Sequence, residues 1–128
     1  HHPEELKAAI TSIKALYPNK KLTAIFQPHL FSRTRDFADE FAQCLSQADD
    51  VILLDIYPAR EEPIEGITSQ IIYNKITSIE KNLCSKKDLL NLLVEKKPEL
   101  VVTFGAGDID RMIPEIIKTL SQIFKLDY

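Results

Sequence analysis

Glycine is scarce in this chain, with three among 128 residues, and two of them, Gly105 and Gly107, fall within one short segment. A G-x-x-x-x-G-K-[ST] phosphate loop is therefore excluded, and with it ATP binding by that route. Cysteine is equally sparse. Cys44 and Cys84 stand in apolar stretches and form no C-x-x-C pair, so they read as buried free thiols of a reducing compartment, which points to the cytoplasm. The chain has no run of about eighteen apolar residues and no signal-peptide pattern, which removes membrane-spanning and secreted readings. Nor is there an excess of positive charge: 16 basic residues face 19 acidic ones, for a net charge of -3. A sequence-independent grip on nucleic acid or on an anionic membrane has no support. No H-E-x-x-H motif occurs and no Ser/His/Asp or Cys/His arrangement has an interpretable spacing, so no metal site is expected.

What is present is an ordinary globular composition, 45% hydrophobic and 27% charged, in a chain long enough to bury roughly two-thirds of its unfolded surface as one domain. Residues 1–128 are read as that single domain. Leu6, Ile10, Ile13 and Leu16 recur at helical spacing behind Pro3, which suits a first helical turn, and Pro18-Asn19 end this first helix. The run Leu22 to Phe26 predicts a buried strand. Phe37, Phe41, Cys44 and Leu45 then mark a helix over 33–47 with an aromatic sheet-facing side. Val51 to Ile56 is the clearest strand, followed by a polar loop and a short helix over 69–76 behind Thr68 as N-cap. A weaker strand is expected over 78–84, a helix over 86–96 capped by Ser85, a strand over 100–104, and a last amphipathic helix around Ile113, Ile116, Ile117, Leu120 and Ile123. Pro114 must sit in that helix's first turns or begin a new segment, because a deeper proline costs roughly 3 kcal/mol. Strand and helix alternate, and the strands are continuously apolar. Both facts predict a three-layer, Rossmann-like α/β domain with a mostly parallel sheet and helices on both faces.

In such a sheet, ligands collect at the carboxyl ends of the strands. The first strand-end loop, Gln27-Pro-His-Leu-Phe-Ser-Arg-Thr-Arg35, puts Arg33 and Arg35 in a first helical turn, where cations oppose the macrodipole unless an anion compensates. With exposed backbone N–H groups and His29 beside them, they outline an anion site. The plainer alternative pairs Arg33 with Asp36 and Arg35 with Asp39 as surface ion pairs at helical spacings. The second loop carries Glu61, Glu62 and Glu65, which read either as a general base or cation site or as solvated carboxylates. The third, Gly105-Ala-Gly-Asp-Ile-Asp110, begins like G-x-G-x-x-G, but its carboxylates would repel a pyrophosphate, so it reads as a tight turn with an aspartate N-cap. His1-His2-Pro3 by itself reads as the remainder of a purification tag. From the residues alone, an autonomous anion-binding or regulatory module remains open.

Four segments carry more. His1-His2-Pro3-Glu4-Glu5, Phe26-Gln-Pro-His-Leu-Phe-Ser-Arg-Thr-Arg-Asp36, Asp55-Ile-Tyr-Pro-Ala-Arg-Glu61 and Thr103-Phe-Gly-Ala-Gly-Asp-Ile109 resemble, in order and spacing, motifs of the C-terminal domain of the Mur ligases, within them the branch that adds L-alanine. The resemblance implies an ATP-dependent ligase of peptidoglycan synthesis that joins L-alanine to UDP-N-acetylmuramate. In that family the lactyl carboxylate becomes an acyl phosphate, the amine attacks it and phosphate leaves. ATP and Mg2+ are held mainly by other domains, and the C-terminal domain packs against the central ATP-binding domain and swings in to close the site. The fragment by itself is then expected to be inactive and to carry no cofactor or metal. Its partners would be UDP-N-acetylmuramate, L-alanine and ATP, not nucleic acid or membrane.

Carried onto this chain, the resemblance makes His29 and Arg33 catalytic. It assigns His29, Arg33, Arg35, Tyr57, Glu61 and Asp108 to substrate binding, and brings His1 and His2 near the nucleotide. Leu30 stands where the family commonly has arginine, and Phe31 where it has tyrosine.

Overall fold

The computed structural model describes residues 2–105 and 108–125, the last three by backbone alone. Five helices and four strands follow in sequence: α1 (Pro3–Leu16), β1 (Leu22–Gln27), α2 (Phe31–Leu45), β2 (Asp50–Leu54), α3 (Gln70–Tyr73), β3 (Glu80–Cys84), α4 (Lys86–Lys96), β4 (Leu100–Gly105) and α5 (Asp108–Lys125). The strands form one sheet in the order β3-β2-β1-β4, and every pairing is parallel. Period-two alternation splits the apolar strand residues between two cores. Leu22, Ala24, Phe26, Val51 and Leu53 face Leu6, Ile10, Phe41 and Ile72 of α1, α2 and α3. Ile25, Ile52 and Leu54 face Leu89, Leu93, Ile109 and Ile116 of α4 and α5. Both faces are thus covered, which is why β1 and β2 are buried along their whole lengths and why their sequences run apolar without alternation.

Several elements differ from the sequence expectation in ways the packing explains. α3 has only four residues, since the segment beyond Tyr73 closes through shorter turns from Lys75 to Ile72 and from Ile76 to Tyr73 while still burying Ile76. Leu16, placed on the apolar stripe of α1, is 73% exposed, because α1 docks through Leu6 and Ile10, with Ile13 only partly buried. α2 begins at Phe31, earlier than its apolar pattern, and bends at Phe37, whose φ of -118° and ψ of 16° leave the helical range. Pro114 lies within a continuous α5, in its second turn. Cys44 is buried and donates its thiol to the Pro3 carbonyl at 3.3 Å. Cys84, expected to be buried, is only half-buried because β3 is an edge strand, yet loss of hydration still pushes its thiol up to about 11. Both thiols are free. Among the described residues no helix is long and apolar enough to cross a membrane.

The strand order has one consequence for function. β1, β2 and β3 step outward in one direction, and β4 returns to the other side of β1. From the end of β1 the chain turns to α2 on one face, and from the end of β4 it turns to α5 on the other. The crevice at this reversal is where ligands bind in open parallel sheets.

Candidate functional site

Pairing between β1 and β2 continues beyond the regular strands through a single bridge, His29 to Tyr57. The register slips on the way: Phe26 lies opposite Leu53, but His29 lies opposite Tyr57, so one extra residue is inserted on the β2 side. Such a slip exchanges the faces to which the side chains point. Tyr57 N–H donates to the Pro28 carbonyl at 2.8 Å and Leu30 N–H to the Tyr57 carbonyl at 2.9 Å, which locks the two loops together. The His29 and Tyr57 rings stack with centroids 5.8 Å apart and planes 22° from parallel.

Leu30 occupies the N-cap position of α2 with φ 71° and ψ 138°, a strained conformation for a residue with a side chain. Its carbonyl accepts from Thr34 N–H at 3.1 Å and from the Thr34 hydroxyl at 2.8 Å. Leucine has no oxygen with which to cap the helix, and Glu61 supplies that function from the opposite loop. One Glu61 oxygen accepts from Ser32 N–H at 2.9 Å and the other from the Ser32 hydroxyl. These hydrogen bonds, the Ser32 hydroxyl foremost, then the N–H groups of Ser32 and Phe31 and the charge of Arg35, hold the Glu61 carboxyl below the usual glutamate range. The anion expected at this helix terminus is therefore internal to the chain.

The two arginines part company. Arg35 pairs with its neighbour Asp36 at 2.9 Å, and Asp39 pairs with Lys75 of the segment after α3 at 2.7 Å. Neither helical-spacing pair suggested by the sequence is formed. Arg33 is half-buried and makes no hydrogen bond or ion pair with the described residues. A guanidinium on a helix first turn, partly removed from water and uncompensated, is an incomplete anion contact.

The family model described as the Mur ligase, glutamate ligase domain matches residues 1–107. The chain belongs to this family. It is 54% identical over 123 residues to the UDP-N-acetylmuramate–L-alanine ligase of Phocaeicola vulgatus, covering 95% of this chain and 27% of that protein. It is 52% identical over 122 residues to the enzyme of the same name from Flavobacterium johnsoniae, with the same coverage of 95% and 27%. The chain thus spans about a quarter of the length of these curated relatives. A solved UDP-N-acetylmuramate-alanine ligase from Thermotoga maritima superposes with a TM-score of 0.56 over 98% of this chain and 24% of its own, at 24% identity; at that identity the likeness speaks for the fold.

In this Mur ligase domain the structure brings His29, Tyr57 and Glu61 into one cluster with the first turn of α2, which carries Arg33, while Arg35, expected in that turn, falls in the second because the helix begins at Phe31. The other assigned residues lie elsewhere. Asp108, in the first turn of α5, pairs with Lys86 of α4 at 3.2 Å. The α5 N-terminus is instead served from a distance, by Gln27, whose side-chain oxygen accepts from Ile109 N–H at 2.9 Å. His2 is the N-cap of α1, its Nδ1 accepting from Glu4 N–H at 3.2 Å, and its ring packs on Phe37 at 5.7 Å. His1 and Gly107 lie outside the described residues.

Gln27, Ser32 and Lys86 were not singled out from sequence. Only Gln27 leaves a signal there, a polar residue finishing an apolar strand, and it is 4% exposed. Among the described residues no group of three His, Cys, Asp or Glu side chains could hold a metal ion. A concavity of about 460 Å³ bounded by Lys14, Tyr17, Pro18 and Ile79 opens at the amino end of the sheet, at the far end of the strands from this cluster. It carries none of the residues expected from the sequence to form the site.

Proposed function

We propose that residues 1–128 are the C-terminal domain of a three-domain, cytoplasmic, ATP-dependent ligase that joins L-alanine to UDP-N-acetylmuramate in peptidoglycan synthesis. Support comes from the relatives of that name, which match nearly the whole chain at above half identity, and from the cluster at the strand reversal. The observation that carries the site assignment is the half-buried Arg33 guanidinium, which has no partner among the described residues. In the proposed reaction, negative charge builds on an acyl phosphate and then on a tetrahedral intermediate as the amine attacks. A fixed guanidinium brought against that charge in a closed, dry site stabilises it more than it stabilises the ground state.

His29, held against Tyr57, is a second donor at the same strand end, and both are presented when the domain closes on the parts of the enzyme that hold ATP. The described residues do not form a magnesium site, and the role proposed for them is positioning and charge stabilisation. An isolated anion-binding module is less well supported, because the backbone donors at the start of α2 already serve Glu61. In the full-length enzyme, Arg33→Ala should lower alanine-dependent phosphate release by several orders of magnitude while the protein stays folded. Wild-type turnover in that variant would overturn the site assignment.

A further inference from the structure

The Gln27 side chain is buried at the point where the sheet reverses, and each end of its amide is used. Oε1 accepts from Ile109 N–H at 2.9 Å, across 82 residues of sequence, and Nε2 donates to the Asp55 carbonyl at 3.5 Å. A buried amide left unpaired loses its hydration without replacement, so these partners are demanded by the burial itself. Gly105 makes the arrangement possible. It lies opposite Gln27 in the sheet, at φ 140°, and a Cβ there would come within 2.8 Å of the Gln27 carbonyl oxygen, 2.9 Å of Ile109 Cγ2 and 3.1 Å of Gln27 Cβ. Any side chain at 105 would drive α5 away from the end of β1.

One amide therefore ties together the carboxyl ends of β1, β2 and the β4–α5 connection. Each tie lies at most two residues from a residue assigned to the site: Gln27 precedes Pro28-His29, Asp55 precedes Ile56-Tyr57, and Ile109 follows Asp108. The His29–Tyr57 bridge is built on the first two of these ends, and it is there that the register slips. The Gln27–Asp55 contact stands at that step, beside the backbone bonds that join the two loops.

We propose that Gln27 is a positioning residue of the ligase reaction, setting the strand-end loops in the relative placement that presents His29, Tyr57 and Arg33 to the amino-acid substrate. It acts through those residues and touches no reacting atom. The proposal rests on the ligase reading above. A displacement of the loops by about 1 Å is enough for a loss on the order of a hundredfold in rate.

The test uses the full-length ligase carrying Gln27→Leu, Gln27→Glu, Arg33→Ala and, as a stability control on the opposite core, Ile10→Val, with kcat, KM for each substrate and the thermal midpoint measured for all four. Gln27→Leu should lose on the order of tenfold to a hundredfold in kcat/KM for L-alanine, with KM for ATP and for the UDP-sugar within about twofold of wild type. Gln27→Glu keeps the acceptor for Ile109 but turns a carboxylate oxygen to the Asp55 carbonyl, so its kcat/KM for L-alanine should be low at neutral pH and rise relative to wild type as the carboxyl regains a proton to donate, a pH profile that a merely structural role would not give. Ile10→Val should lower the thermal midpoint and leave the kinetics unchanged. If Gln27→Leu does not fold, Gln27→Glu decides, and wild-type kinetics there overturn the proposal. Wild-type kinetics in Gln27→Leu with an impaired Arg33→Ala overturn the role of Gln27 and leave the ligase reading standing. Wild-type kinetics in Arg33→Ala overturn the site assignment, and the proposal with it, and absence of alanine-dependent phosphate release from the unmutated enzyme overturns the ligase reading.

Discussion

Glu61 ties the loop after β2 to the first turn of α2 through one side chain, and its charge makes the tie dependent on pH. The Ser32 hydroxyl, the N–H groups of Ser32 and Phe31, and Arg35 all favour the ionised carboxylate, so its folded pKa lies below that of the unfolded chain. The sign follows directly. The contribution to stability is complete above the ordinary glutamate range and is lost as pH falls through the depressed folded value. Glu61→Gln retains an acceptor oxygen without the charge. Its thermal midpoint should fall below that of the native chain at neutral pH, and the gap should narrow as the pH is lowered into the range where Glu61 itself is protonated. A gap that stays constant down to about pH 3 would show that the carboxylate charge contributes nothing. Asp36, depressed by its pair with Arg35, titrates in both proteins and cancels in the difference.

Among the elements, α2 matters most, because it carries Arg33 and Arg35 at one end and anchors itself through aromatic packing further along. Phe41 is 2% exposed and lies between Phe26 of β1 at 5.1 Å and Phe37 at 6.2 Å. Phe41→Ala should cost about 3–5 kcal/mol, the range for a large buried aromatic whose cavity cannot collapse. The denaturation midpoint of the chain is the check, and a loss below about 1 kcal/mol would mean that α2 is held by other contacts. This helix also shows what the sequence makes legible. The spacing of Phe37, Phe41, Cys44 and Leu45 identified its buried face, and the continuous apolar runs identified β1 and β2, because burial on both sides of a sheet is written directly in composition, whereas β4, read from its apolar run as buried, is an edge strand only half-buried from Leu100 to Phe104. The start of α2 was less visible, since its cap comes from Glu61 rather than from a local Ser, Thr, Asp or Asn. The same distinction holds at the site. His29 and Arg33 could be placed near one strand end from local order alone. The Asp39–Lys75 pair, the Asp108–Lys86 pair and the Gln27–Ile109 bond depend on which segments the topology brings together, and helical spacing does not encode that.

Over the whole molecule the two ends of the sheet are built differently. At the carboxyl end, polar side chains are half-buried and the Arg33 guanidinium has no partner among the described residues. At the amino end, charges are paired to hold the strands in place: Lys96 of α4 lies 2.9 Å from Asp50 at the start of β2 and 3.3 Å from Glu80 at the start of β3, and Glu80 also pairs with Lys21 just before β1. Asp50 is 2% exposed, and its Oδ1 has no hydrogen-bond partner. Lys96 therefore neutralises a carboxylate that has little other compensation. Removing one member of such a buried pair costs about 3–5 kcal/mol, because the remaining charge stays buried, whereas removing both charges is often close to neutral. Lys96→Met should accordingly lower the urea midpoint strongly with little change in the denaturant slope, and adding Asp50→Asn should restore a large part of the loss. A loss in Lys96→Met below about 1 kcal/mol, the level of an exposed ion pair, would place the strength of this end elsewhere. Because the pair sits at the end of the strands away from His29 and Arg33, the proposed ligase function predicts that the folded fraction of a full-length protein carrying Lys96→Met turns over substrate at the native rate, and a lowered rate per folded molecule would show that the two ends are coupled.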